Sequence, residues 1–177
     1  MPVGRYSRHT VAGLRQELRE KVVYANDLSE GSGTPSLTNI GVSPAWQHAH
    51  DSDSDVMGDL KVPIDRVPNT PIDVKLVFTV DQEGGMGNVL WNFSYLIASE
   101  GVDLTGARVT PAWLTSAPPA NVQKTTDPVR IASSSLDGLL KSVDIQFQVQ
   151  REGTHASDTH GGNALILKVV FEYTAYT

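Results

Sequence analysis

Apolar and polar side chains alternate along the second half of this chain. Val74, Leu76, Phe78 and Val80 are interleaved with Asp73, Lys75, Val77 and Thr79, the period-two pattern of a half-buried strand. Trp91, Phe93, Tyr95 and Ile97 stand opposite Asn92 and Ser94, and Val143, Ile145, Phe147 and Val149 opposite Asp144, Gln146, Gln148 and Gln150. Near the end, Leu165, Leu167, Val169, Phe171 and Tyr173 are expected to share one face, with Lys168 and Glu172 on the other. Shorter strands are expected around residues 108–114, where Pro111 marks a bulge or an edge, and around 122–126 and 129–133. No helical crossover pattern separates these segments. The expected fold is therefore all-β, an antiparallel β-sandwich. Jelly-roll, immunoglobulin-like and other Greek-key strand orders all satisfy the same periodicity.

The first 71 residues follow a different pattern. Val11, Leu14, Leu18 and Val22 recur at the 3–4 spacing of a helical face, with Ser7 or Thr10 as a cap, which predicts an N-terminal helix over residues 10–24. Gly13 weakens it, and so short a helix needs a partner for its apolar stripe. Residues 25–72 are punctuated by Gly31, Gly33, Pro35, Gly41, Pro44, Pro63, Pro68 and Pro71. They read as an extended arm with short strands around 37–42 and 60–67. The expected organisation is thus an assembly segment over 1–71 and a β-sandwich domain over 72–177. Val11, Leu14, Leu18, Val22 and Trp46 are its expected contact residues.

Composition narrows the chemistry. The 177 residues contain no cysteine, which excludes disulfides, thiolate zinc sites and thiol nucleophiles. The net charge of −6 argues against direct nucleic-acid binding. Arg5, Arg8, Arg15, Arg19 and Lys21 nevertheless give the first 24 residues a basic excess, suited to an acidic neighbour. No apolar run approaches a membrane span, and the N-terminus lacks the pattern of a secretory leader.

Candidate sites are sparse. His48, His50, Asp51, Asp53 and Asp55 form the densest polar cluster, but the three aspartates lack the glycine and glutamate of a calcium-binding loop. His155, Asp158 and His160 occupy the loop before the last strand without a nucleophile or a zinc-binding motif. A structural divalent cation on Asp51, Asp53, Asp55, His155, Asp158 or His160 is the one cofactor left open. Otherwise both clusters read as solvated or self-satisfied turns. Asp81, Glu83 and Glu100 could pair for glycoside hydrolysis, but the sequence fixes neither their separation nor a substrate cleft. Gly84-Gly85-Met86-Gly87 lacks the lysine and hydroxyl of a phosphate loop. Among the tryptophans, Trp91 is in phase with the core, Trp46 reads as an interface knob, and Trp113 fits either core or sugar platform. No complete catalytic constellation is present, and the chain reads as non-enzymatic.

The strand pattern of residues 74–80, Trp91-Asn92-Phe93-Ser94-Tyr95 and 143–151, then Asp158-Thr159 and 165–173, resembles single jelly-roll structural proteins of bacteriophage and related virus particles. The resemblance implies a jelly-roll sandwich and a capsid, decoration or tail component located in the virion. Such a component forms a homo-oligomer, commonly a trimer, and contacts other virion proteins. The alternative reading is a carbohydrate-binding or host-receptor-binding module with a glycan as its partner.

Overall fold

The computed structural model describes residues 15–82, 87–98, 109–136 and 143–177. Twelve strands among them build two antiparallel sheets. The first sheet holds β1 (Gln16–Tyr24), β3 (Ser36–Ile40), β4 (Ser43–His48), β6 (Ile72–Val80), β9 (Lys124–Thr125), β10 (Val129–Ile131) and β12 (Ala164–Tyr176). Its spine is β10-β6-β12-β4-β3, with β1 continuing along β12 beyond β4 and β9 along β6. The second sheet runs β2 (Ser29–Glu30), β5 (Asp53–Lys61), β11 (Asp144–Glu152), β7 (Asn88–Ala98) and β8 (Ala112–Ser116). The result is a two-layer, jelly-roll-like sandwich; the alternation predicts the two layers and leaves the strand order open.

The alternating residues do what their period requires. Leu76, Phe78, Val169 and Phe171 face inward from the first sheet, and Trp91, Phe93, Ile145, Phe147 and Val149 from the second, all nearly free of solvent. Phe93 lies at their centre. Its ring centroid is 5.4 Å from Trp113, 5.8 Å from Tyr95, 5.9 Å from Phe147 and 6.4 Å from Phe171, within the range of favourable aromatic contacts.

The helix expected over residues 10–24 is not formed. Gln16–Tyr24 is a strand whose nine residues pair with β12 from Tyr176 back to Lys168. Leu18, expected on the apolar stripe, is 70% exposed, whereas Val23, outside the stripe, is buried. Val11 and Leu14 lie outside the described residues. A lone helix containing a glycine is marginal. Pairing instead satisfies the backbone of an otherwise open edge of β12, and Val22, Val23 and Tyr24 favour strand geometry.

Residues 29–61 supply four strands, two to each sheet. The acidic run 51–55 enters β5, where Asp55 is fixed by a tight loop. Gly31 N–H donates to the Asp55 carbonyl, Asp55 N–H to the Ser32 carbonyl, and Ser32 N–H to Asp55 Oδ1 at 2.9 Å. Gly33, at φ +73°, brings this loop so close that a Cβ would lie 1.9 Å from the Asp53 carbonyl oxygen.

β12 departs from simple alternation. Its register against β6 shifts between Ile166 and Lys168, leaving Leu167 as a bulge. Leu165 therefore does not share a face with Val169, Phe171 and Tyr173, contrary to the sequence reading. Ile166 points into the core in its place. Beyond the bulge Lys168 faces outward and stands opposite Tyr24 of β1 and Val77 of β6.

Candidate functional site

Three surfaces merit comparison. On the outer face of the second sheet, Gln146, Gln148 and Gln150 of β11 form a polar ladder. They pair across to Leu96, Ser94 and Asn92 of β7 and to Asp59, Met57 and Asp55 of β5. Gln146 and Gln150 make no side-chain hydrogen bond among the described residues. The face offers hydrogen bonds, but none of these strands turns an aromatic ring outward there. Trp91, Phe93, Tyr95 and Trp113 all face the core.

A cleft of about 540 Å³ lies between Arg19, Glu20, Lys21, residues 63–65 and Tyr173. Its charges largely serve one another: Arg19 binds Asp65 at 2.5 Å and also pairs with Glu17. Tyr173 is only 3% exposed.

The third surface is a cleft of about 300 Å³ lined by Tyr24, Val42, Ser43, Pro44, Gln123, Leu167 and Lys168. Four segments converge on it: the end of β1, the β3–β4 turn, the segment before β9 and the β12 bulge. The backbone around Tyr24 is held firmly. Tyr24 pairs with Lys168 on one side, while a single 3-10 turn, Ala25–Asp27, follows on the other. Ala25 is fully buried, and Trp46 Nε1–H donates to its carbonyl at 2.8 Å. Between these anchors the Tyr24 ring is 54% exposed. Among the described residues, Tyr176 carries the other exposed ring. An exposed ring beside a hydroxyl, an amide and an ammonium can stack on an apolar face while hydrogen-bonding the edges of the same ligand. Sequence reasoning missed Tyr24, because the helical reading placed it at the frayed end of an amphipathic segment.

The residues singled out as cation ligands are dispersed. Asp51 is exposed before β5. Asp53 accepts from the Thr154 N–H at 3.0 Å and from its hydroxyl at 2.9 Å. Asp55 is held by Ser32 as described. His155 Nδ1 accepts the Ser157 N–H at 3.1 Å, closing its own turn. Asp158 is committed to Arg151, with side-chain exposures of 1% and 0%. His160 is buried, and neither ring nitrogen has a partner. No group of three or more His, Cys, Asp or Glu side chains among the described residues is placed to share a metal ion. Asp81 accepts from the Asn163 N–H at 3.1 Å and from its side-chain amide at 2.7 Å. Glu83, Gly84, Gly85, Met86 and Glu100 lie outside the described residues. Trp46, expected as an interface knob, is buried in the core of its own chain, and Val22 is half-buried on β1.

Among the described residues, His48 is the most strongly perturbed titratable group. It is fully buried, edge-on to Trp91 with ring centroids 5.4 Å apart. Its Nδ1 lies 2.8 Å from the Ser54 hydroxyl and 3.1 Å from the Ser54 carbonyl, while Nε2 is buried without a partner. Burial lowers its pKa from 6.5 to about 4, against the raising effect of Ser54, and the Arg151 cation adds to the lowering. Burial also lowers His160, with Arg151 again contributing. The fold thus favours neutral His48, and stability present above pH 6.5 is lost as pH falls towards 4. We expect a loss on the order of 3 kcal/mol from His48 over that interval. Urea midpoints measured from pH 7 to 4.5 should fall in the wild type and fall less steeply in His48→Phe. Equal slopes would contradict this origin.

No protein-family model and no curated protein matches the chain. Solved structures do. A family 35 carbohydrate binding module from Clostridium thermocellum superposes with a TM-score of 0.52 at 10% identity, covering 86% of this chain and 97% of that one. The xylan-binding module CBM15 does so at 0.53 and 15% identity, covering 90% and 97%. By contrast, the tailspike protein 4 domain of bacteriophage CBA120 reaches 0.37 at 11% identity, and the match spans only 19% of that chain. A likeness at that level carries no argument. The expected kinship with virion jelly-roll proteins, the capsid, decoration or tail role and the virion location are therefore corrected. The sandwich matches whole carbohydrate-binding modules better than parts of virus-particle proteins. Strand alternation is common to both groups and could not separate them. No helix among the described residues is long and apolar enough to cross a membrane.

Proposed function

We propose that this chain is a non-enzymatic carbohydrate-binding module that holds a glycan in the Tyr24 cleft. The observation that carries the reading is the exposed Tyr24 ring on a rigid backbone, beside Ser43, Gln123 and Lys168. A sugar ring has an apolar face of C–H groups and a rim of hydroxyls. The tyrosine ring covers the face, and the polar groups satisfy the rim. A volume of about 300 Å³ is at the small end for a ligand site and suits one or two sugar units of a longer chain. The modules with the same fold support the reading, since both are named for carbohydrate binding and one for xylan.

Tyr24→Ala should weaken glycan binding about tenfold or more, the loss of one buried aromatic contact, with the thermal midpoint little changed because the ring is exposed. Calorimetric titration with soluble xylan, mannan, galactan and mixed-linkage glucan, followed by amide NMR of the best binder, checks this. Binding that Tyr24→Ala leaves intact, or amide shifts confined to the β11 glutamines, would place the site elsewhere. Failure of the wild type to bind any glycan would remove the proposal.

A further inference from the structure

We infer that the glycan taken by this cleft is acidic, a saccharide bearing a carboxylate or sulfate that Lys168 receives. The inference rests on the carbohydrate-binding reading of the cleft and adds the chemical class of its ligand. Lys168 is the one charged side chain in the lining, and no aspartate or glutamate lines the cleft.

Lys168 makes no ion pair among the described residues, whereas Lys75 and Lys124 on neighbouring strands are engaged. Lys75 binds Glu172 at 2.5 Å, and Lys124 donates to the Ser116 carbonyl and hydroxyl at 2.7 and 2.6 Å. In a chain of net charge −6, a half-buried lysine without a carboxylate partner is locally unbalanced. An anionic ligand would balance it.

The backbone explains why this lysine is there. Without the irregularity at Leu167, strict alternation from Leu165 would turn residue 168 towards the core. The bulge reverses that parity and sets Lys168 directly across from Tyr24. A stacking ring and a free ammonium therefore occupy adjacent strands at one register position. The ring takes the face of a sugar while the ammonium meets an acidic substituent on its edge.

The test uses matched probes. Oligogalacturonate is compared with its methyl ester, and a sulfated carrageenan oligosaccharide with its desulfated form, by calorimetric titration at low and at physiological salt. The charged member of at least one pair should bind more tightly. Lys168→Gln should weaken that binding about three- to tenfold and weaken the neutral member distinctly less, while Lys168→Arg restores the charged binding. The preference should shrink with added salt. The two arms separate carboxylate from sulfate as the group received. Equal binding of charged and neutral members, or charged binding indifferent to Lys168→Gln, overturns the inference while leaving a neutral-glycan module standing. No binding of any probe or neutral polysaccharide overturns both.

Discussion

Arg151→Met should lower the stability of the sandwich by about 3–5 kcal/mol, the cost of leaving a buried charge without its partner. The guanidinium is fully enclosed and uses both edges. Nε donates to Asp158 Oδ2 at 3.0 Å, and Nη2 to Asp158 Oδ1 and the His160 carbonyl, both at 2.9 Å. Nη1 donates to the carbonyls of Gly162 at 2.8 Å and His48 at 3.1 Å. One side chain thus ties the end of β4 and the whole connection between β11 and β12 to the second sheet. Methionine fills similar space but abandons a carboxylate and three carbonyls. Since domains are stable by only about 5–15 kcal/mol, much of the margin would go. The thermal midpoint should fall by roughly 10 °C. Because isosteric apolar replacement of both partners of a buried pair can be close to neutral, Arg151→Met with Asp158→Leu should recover part of the loss. A single variant within about 1 kcal/mol of wild type would show that water reaches the site.

Phe93→Ala should cost a comparable amount, about 3–5 kcal/mol. Phe93 is fully buried and touches four other rings, three from its own sheet (β7, β8 and β11) and one from β12 of the other. Truncation removes apolar area and leaves a cavity lined by aromatic groups too large to collapse inward. Chemical denaturation should show a lower midpoint with an unchanged slope. Phe93→Leu should lose distinctly less, because most of the volume remains. A loss below about 1 kcal/mol for the alanine variant would mean that the two sheets close over the gap.

The core was legible in the sequence because β6, β7 and β11 are strands in the interior of their sheets, and β7, β11 and the first half of β6 bury one face each. A period of two is then unavoidable. β5 was not legible: Asp53, Ser54 and Asp55 look like a solvated run, and only the loop at residues 31–33 and Thr154 make carboxylates acceptable there. β1 misled because Val11, Leu14, Leu18 and Val22 satisfy helical spacing, while the deciding factor was the unpaired edge of a distant strand. The β12 bulge was hidden for a related reason. Leu165, Ile166 and Leu167 are all apolar, so the pattern does not say which one is displaced. Tyr24 and Lys168 each sit beside one of these two irregularities, and the candidate site was unreadable for that reason. Aromatic content pointed instead to Trp46 and Trp113, both of which the core consumes.

The pairing of β1 with β12 also determines how the molecule responds to load. Gln16 lies beside Tyr176, and the Thr177 N–H donates to the Arg15 carbonyl at 2.9 Å, so residues 15 and 177 emerge side by side. Tension applied between them would open the ladder one rung at a time, like a zipper, rather than shearing all its hydrogen bonds together. Tyr24 and Lys168 stand at the far end of that ladder, roughly 25 Å away at about 3.3 Å per residue. A grip made there is the last part of the ladder to feel the pull. Whichever end is held, the cleft lies at the opposite end of this ladder.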